Sequence, residues 1–476
     1  MKKQRSSEFH VTPHTMEAAY LAKPVHLHTR KDRNEFGRAL RVQFPREDHS
    51  DFTIDRSDRE DPVQLLIASS AERVASLLPI RYGRMFSSAF AFFRGAAAIM
   101  ASDLADTLSS DYAVQSCGDC HLVNFGAFAT PERNIVFDIN DFDETFPASW
   151  EWDLKRLAAS FAIASAHNGH RRSDGIAAAA RVVESYRDRM SELSAMPTLD
   201  AWYSYLDYLK LIDMTTCKDL KKRRKKMLAK AQNRDSLAEF VKLATVVDGH
   251  PRIKDQPPLI FHDEGSETDA YKERILGSIN SYRESLPADR RVLFDRYEFV
   301  DNAIKVVGVG SVGTICGIAL FFAAENDPLF LQVKEARQSV LEPYSQFINS
   351  ESSNGARVVV GQRIMQAASD IFLGHYVGDT GRHFYVRQLR DVKVKPLVEI
   401  FDPRHMLGFA RNCGWALARA HAKSGDPAII AGYIGKGSVF PNAIAQFADA
   451  YMKQNLADHA RMGEAIKAGT IEAHAE

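Results

Sequence analysis

From Pro62 onward the apolar positions recur at helical spacing. Val63, Leu65, Leu66, Val74, Leu77 and Leu78 predict one helix. Phe90, Phe92, Phe93, Ala97, Met100 and Leu104 put a broad apolar face on a second, between Ser87 and Leu108. Tyr112 to Ser116 reads as a short strand feeding a loop at Gly118, and WEWDLKRLAASFAIASAHNG, from Trp150, predicts a bulky helix directly behind that loop. Ile176 to about Tyr297 predicts mainly helix, broken at Pro257-Pro258. Its basic run, LKKRRKKMLAKAQNR at Leu220 to Arg234, reads first as a solvated helix face and second as an anion contact. Residues up to Asp61 are polar and without period, so they are expected to be partly disordered or to lie over another surface.

The pattern changes at Val300. Val306 to Ala324 is uncharged but carries Gly308, Gly310, Gly313 and Gly317, and the strand LFLQVKEA follows at Leu329. Three readings compete. A transmembrane helix has nearly the right length, but the glycines weaken it. A dinucleotide-binding turn fits Gly-x-Gly-x-x-Gly, yet the next strand should end on an acidic residue and instead reaches Lys334. The third is a hairpin whose glycine-rich turn covers phosphates while Lys334 pairs with them from the next strand. Period-two alternation places Phe330, Gln332 and Lys334 on one face, with Leu329, Leu331 and Val333 on the other.

Charge and cysteine usage narrow the class. The 476 residues carry 61 Lys+Arg and 61 Asp+Glu, a balance that argues against a general nucleic-acid or membrane-surface binder. Such a length predicts two or three packed units. The 5 cysteines form no even framework, and the start MKKQRSSEFHVTPHTM lacks an apolar core after its basic residues, so a reduced, cytoplasmic protein is expected.

The chemistry concentrates in CGDCHLVNFGAFATPERNIVFDINDFDE, Cys117 to Glu144. Asp119 with Asn124 five positions on lets one tight loop offer a base to a hydroxyl and an amide oxygen to Mg2+. A second Asp at a nearby strand end, Asp138 or Asp141, would hold the metal that bridges nucleotide phosphates. Both are candidates, because carboxylates packed this closely need a cation or bound protons. His121 reads as support for the loop. Cys117-Gly118-Asp119-Cys120-His121 also matches a haem-attachment or Cys-x-x-Cys pattern, but the chain shows no export signal and no second ligand pair. Gly435-Lys436 lacks the rest of a phosphate-binding P-loop.

Gly308-x-Gly310-Ser311-x-Gly313 followed by Val333-Lys334 resembles the nucleotide lobe of protein kinases. Gly118-Asp119-x-His121-x-x-Asn124 resembles the catalytic loop of aminoglycoside phosphotransferases, with Cys117 where that family has His. From about residue 60, through CGDCHLVNFG, FDINDFDE, WEWDLKRLA, VGVGSVGT and LFLQVKEA, the chain also resembles the bacterial domain-of-unknown-function family 2252.

The kinase resemblance implies an α+β, two-lobed protein-kinase-like fold. Here the glycine loop follows the catalytic loop, so the fold would be circularly permuted, as a site defined by geometry rather than chain order allows. The helix GFARNCGWALARAHAKSG resembles the one that precedes the catalytic loop in aminoglycoside kinases, which is the cut point expected. The implied units are a polar extension at 1–61, a large helical lobe at 62–299, a small β-rich nucleotide lobe at 300–395, and helices at 396–476 that return to the large lobe. Asp119 would be the base; Asn124 with Asp138 or Asp141 would hold Mg2+; Gly308, Gly310, Ser311, Gly313 and Lys334 would bind ATP; and Asp153 would brace the loop. Glu342, Gln362 and Gln366 are candidate partners of Lys334. The expected function is ATP- and Mg2+-dependent phosphotransfer to a small hydroxyl acceptor, with no nucleic-acid or membrane partner. AMP transfer, a nucleotide-binding pseudoenzyme and an NAD-dependent oxidoreductase are the alternatives.

Overall fold

The computed structural model describes residues 24–53, 57–215, 218–232, 236–262, 268–306, 312–324, 327–389 and 392–474. It is a mixed α and β structure with several antiparallel sheets. α1 (Arg30–Gln43) starts at a reciprocal cap, in which Thr29 and Asp32 each accept the other's amide. α2 (Pro62–Ala68) is capped by Asp61, which accepts the Val63 and Gln64 amides. The helix expected from Pro62 to Leu78 stops there, where Ser69 and Ser70 both turn their hydroxyls onto the Leu66 carbonyl. α3 (Leu78–Phe86) resumes after a short turn. The single helix expected from Ser87 to Leu108 is likewise two, α4 (Ala89–Gly95) and α5 (Ala97–Ala105). Buried Arg81 takes the Gly95 carbonyl, which a continuous helix would need for itself.

β1 (Ala113–Ser116) leads into the loop at Gly118, and β2 (Phe125–Ala129) and β3 (Ile135–Ile139) pair antiparallel beyond it. β4 (Phe146–Ser149) returns to pair with β1. α6 (Trp150–His167) follows and is buried on every side from Trp150 to Ser165, although it carries Glu151, Asp153, Lys155 and Arg156. A helix enclosed all round lies at the centre of a core, so each of those charges must find a partner inside. α7 (Arg172–Ala195) packs on α6.

The stretch expected to be mainly helical holds α8 (Thr198–Tyr203), α9 (Tyr208–Asp213), α10 (Lys218–Gln232), α11 (Ser236–Leu243), α12 (Asp269–Ser285) and α13 (Ala288–Phe294). It also contains strands that the periodicity hides: β5 (Leu206–Asp207), which pairs with β3, the hairpin β6 (Ala244–Val247) with β7 (His250–Ile253), and β8 (Ile260–Phe261). As far as Gln232 the basic run lies on α10, mostly exposed, as a solvated face should be; Asn233 and Arg234 lie outside the described residues.

β9 (Glu298–Lys305), β10 (Cys316–Phe322) and β11 (Pro328–Glu335) are successive antiparallel neighbours. Residues 316–322, within the candidate membrane run, are therefore strand, and among the described residues no helix is long and apolar enough to cross a membrane. Gly308, Gly310 and Ser311 lie outside the described residues. Gly313 has φ +88°; its carbonyl accepts the Val74 amide, while Arg73 donates to the Val312 carbonyl. α14 (Asn354–Met365), β12 (Gly374–Val377), β13 (His383–Gln388) and β14 (Lys393–Val394) follow, giving a six-stranded sheet in the order β12-β13-β11-β10-β9-β8.

Leu329, Leu331 and Val333 pack under α12 and α13 with Tyr282, Leu286 and Phe294, so the alternation along β11 sorts as expected. Phe330 joins Ile318 and Leu320 on the opposite face, beneath Leu243, Ala244, Ile253 and Ile260. β14 leaves this sheet and pairs with β2. α15 (Pro403–His421), α16 (Pro427–Ile434) and α17 (Val439–Lys467) then return to α1, α6 and α7. α1 and α16 touch closely because a Cβ on Gly37 would lie 2.0 Å from the Ile429 carbonyl oxygen, and one on Gly432 would lie 2.2 Å from that of Asn34.

Candidate functional site

The loop between β1 and β2 is fixed from behind by α6. Asp153 accepts the Cys117 amide at 2.7 Å and the Gly118 amide at 3.0 Å, and His421 at the end of α15 lies 3.2 Å from the same carboxylate. The bracing role expected of Asp153 is thus visible in its bonds. Gly118 needs its φ of +81°, and a Cβ there would sit 2.2 Å from the Glu144 carbonyl oxygen, so loop and carboxylate-rich turn are in direct contact. The Asn124 side-chain amide donates to the Asp119 carbonyl at 2.9 Å, and the Asn140 amide donates to the Asn124 carbonyl at 2.8 Å. These bonds hold Asp119, Asn124 and the start of Asp141-Phe142-Asp143 together.

Asp119 keeps a side chain 24% exposed, and its Oδ1 accepts both Nε and Nη2 of Arg156. His121 lies with Nε2 3.7 Å from Asp119 Oδ2. Burial brings the His121 pKa down to about 3 despite that carboxylate, so the ring is a neutral wall of the loop.

Lys334 reaches the same place from the sheet. Its Nζ is 2.5 Å from Asp143 Oδ2 and 3.9 Å from Asp141 Oδ1, and 5.4 Å above the Tyr385 ring, whose hydroxyl donates to Asp143. Burial opposes its charge, but Asp141 and Asp143 outweigh burial and hold the ammonium protonated, well above the ordinary lysine range. Burial also pushes the Asp141 pKa up, and Lys334, Arg387 and Lys393 overcome it, leaving the carboxylate below its usual range. Burial and Arg387 bring Lys393 down to about 7. Asp141 Oδ1 is buried without a hydrogen-bond partner, although the side chain as a whole is 39% exposed. An orphaned carboxylate oxygen on a turn tied through Asn140 to Asn124 is the kind of oxygen donor that suits a hard divalent cation such as Mg2+.

The family model for uncharacterized proteins conserved in bacteria, DUF2252, matches residues 73–465. The chain belongs to the DUF2252 family. Among curated proteins and among solved structures, nothing matches it.

Not every site residue expected of this DUF2252 chain is in the cleft. Asp138 is fully buried, and its oxygens accept the Ile139 amide, the Ala367 amide and the Arg419 guanidinium, which contacts both. A carboxylate has about four acceptor sites, and these bonds use them, so Asp138 is a structural anchor and has none left for a metal. The candidate partners of Lys334 also resolve differently. Gln362 donates to Gln366, Gln366 donates to the Ile139 carbonyl, and the partners of Lys334 are Asp143 and Asp141. Cys117, Cys120 and Asp153 come close enough to share an ion, but burial pushes both thiols up, away from the thiolate a metal needs, and Asp153 is already committed to the loop amides.

Four residues of the site escaped the sequence reading: Arg156, Tyr385, Arg387 and Lys393. Only Arg156 left a signal, lying three positions after Asp153 and so near it on one helix face. Arg357 of α14 adds a tie between sheet and loop by donating to the carbonyls of Asp143 and Thr145.

Proposed function

We propose that this DUF2252 chain is an ATP- and Mg2+-dependent phosphotransferase, moving a phosphorus-containing group to a hydroxyl of a small acceptor, on a circularly permuted, two-lobed protein-kinase-like fold. The observation that carries this is the meeting of Lys334, on a strand that follows the glycine-rich sequence, with Asp141 and Asp143, which follow the loop of Asp119 and Asn124. A buried cation, carboxylates for a metal and a separate, partly exposed Asp are the parts that group transfer from a nucleotide requires. The permutation is supported by the end of α15: His421 contacts Asp153, and Ser424 accepts the Gln115 amide of β1, so the helix that should precede the loop adjoins it in space.

Asp141 and Asn124 would hold Mg2+, which would offset phosphate charge. Asp119 takes the hydroxyl proton of the acceptor as its oxygen approaches phosphorus; Arg156 holds one carboxylate oxygen and so fixes where the other points. Lys334 supplies fixed positive charge to the phosphates. The test is thermal denaturation of the whole chain with ATP and Mg2+, with ATP alone, and with NAD. A rise in Tm that needs ATP and Mg2+ together supports the proposal, whereas a rise with NAD alone replaces it with the oxidoreductase alternative.

A further inference from the structure

The sheet side of the cleft carries more positive charge than Lys334 alone. β11 and β13 pair with Lys334 opposite Tyr385 and Gln332 opposite Arg387, so these four side chains share a face. Arg387 donates to Gln332 Oε1 at 3.1 Å and lies 5.8 Å from the Tyr385 ring centre. Lys393 joins from β14, opposite Phe128 of β2. Lys334, Arg387 and Lys393 all attract Asp141, which also feels the charge of Asp119. Asp141 is therefore within electrostatic reach of both the cations of the sheet and the base.

A nucleobase wants a flat apolar slot with a few neutral hydrogen-bonding groups. Among the described residues, that face of the sheet does not offer one. Its apolar residues Ile318, Leu320 and Phe330 are already covered by Leu243, Ala244, Ile253 and Ile260. What is left is Gln332, Arg387 and Lys334, with Cys316, which Gln332 contacts, and Tyr385, whose ring lies beside both cations and whose hydroxyl is bonded to Asp143. A neutral ring set against these side chains would displace their water and return no charge, whereas phosphate oxygens would add charge-assisted hydrogen bonds to the ion pairs that Asp141 and Asp143 already make.

Resting on the nucleotide reading of the cleft, we infer that the triphosphate enters tail first, its β- and γ-phosphates on Lys334, Arg387 and Lys393, so that the α-phosphorus faces Asp119 and the chain transfers AMP. The acceptor hydroxyl oxygen bonds to the α-phosphorus as the bond from that phosphorus to the α,β-bridging oxygen breaks. Pyrophosphate leaves with the electron pair, and the hydroxyl proton passes to Asp119. No oxidant or further reactant is needed.

The whole protein, with Mg2+, is given ATP labelled at the α- or the γ-phosphate, with glycerol, serine and glucose as trial acceptors and water as the default one. Label from the α position in the acceptor, or AMP with pyrophosphate from hydrolysis, is the expected result. ADP as product, or γ-label in the acceptor, overturns the orientation and leaves the phosphotransferase reading standing. Calorimetry supplies a second arm that does not depend on turnover. Inorganic tripolyphosphate should compete with ATP where adenosine does not, and Arg387→Met and Lys393→Met should each weaken both anions about tenfold or more. ATP affinity unchanged in both variants, each shown to melt as the parent does, overturns the orientation. Absence of any Mg2+-dependent ATP binding by the parent overturns the orientation together with the function on which it rests.

Discussion

Arg419, near the end of α15, contacts both carboxylate oxygens of Asp138, and neither side chain is exposed by more than 1%. The same carboxylate accepts the Ala367 amide just beyond α14, and Lys423 donates to the Gln366 carbonyl at 2.6 Å. Asp138 is therefore a junction between β3, the exit of α14 and α15. Asp138→Asn should cost about 3–5 kcal/mol of unfolding free energy, because it leaves a buried guanidinium without its counter-charge. Urea denaturation measures the loss, and Asp138→Asn combined with Arg419→Met should recover part of it. Folded Asp138→Asn protein should bind ATP and Mg2+ as the parent does, which a metal ligand could not.

Asp119→Asn and Asp141→Asn should fail differently. The first should spare ATP and Mg2+ binding and lower turnover on the order of 100-fold or more, the scale of a positioned base. The second should weaken Mg2+-dependent nucleotide binding itself, since a bridging cation stabilises the bound phosphates before any chemistry. Unchanged turnover in Asp119→Asn would remove it as the base and point to a module that binds nucleotide without catalysis.

Lys334→Met should raise the ATP concentration needed and lower turnover together. It also leaves Asp141 and Asp143 without their nearest cation, so the Asp141 pKa should rise. Nucleotide binding by the variant should then be lost at a higher pH than in the parent as the buffer is acidified.

Stability should fall in acid through buried histidines. Burial holds His49 well below its ordinary value and His121 at about 3. Folded-state values below the unfolded one mean that the unfolded chain binds more protons between the two, so stability is lost as pH falls beneath about 6.5. Each such histidine contributes a slope of about 1.4 kcal/mol per pH unit in that range. His49 contacts the Tyr433 hydroxyl at 2.6 Å, away from the cleft, and His49→Gln keeps a polar group there. Urea midpoints at pH 7 and pH 5 should differ less in this variant than in the parent.

Gly118 and Gly169 form a matched pair, with φ of +81° and +73°, but a Cβ meets the Glu144 carbonyl at the first and nothing within 4 Å at the second. Gly169→Ala should cost about 1 kcal/mol, the price of a left-handed alanine alone. Gly118→Ala should cost about 2 kcal/mol or more and depress ATP binding as well. Equal losses of Tm would show that the loop yields freely.

The parts of the site that sequence revealed are those encoded locally. Asp119 and Asn124 share one loop, Lys334 declares its face by alternation along β11, and the bulk of α6 is written in Trp150, Trp152, Leu154 and Leu157. What stayed hidden depends on partners far along the chain. Asp138 and Asp141 look alike until Arg419, 281 residues later, occupies one of them. The break at Gly95 follows from Arg81, and Arg387 gains meaning only when β13 is laid beside β11. Periodicity records the face a residue turns, not the atom that awaits it there.

The placement of α15 to α17 on α1, α6 and α7 has a consequence for how the chain is made on the ribosome. When Lys334 emerges, Asp119, Asp141 and Asp143 have long been translated, but Arg419 and His421 have not. Until α15 arrives, Asp138 lacks its counter-charge and Asp153 lacks the imidazole beside it. α1 waits longer still, since Arg41 must find the carbonyls of Gly432 and Tyr433 on α16. A nascent chain at that stage therefore carries Asp119, Asp141, Asp143 and Lys334 before it can hold the shape that brings them together. The order of synthesis keeps the assembled site for molecules whose translation has passed α15.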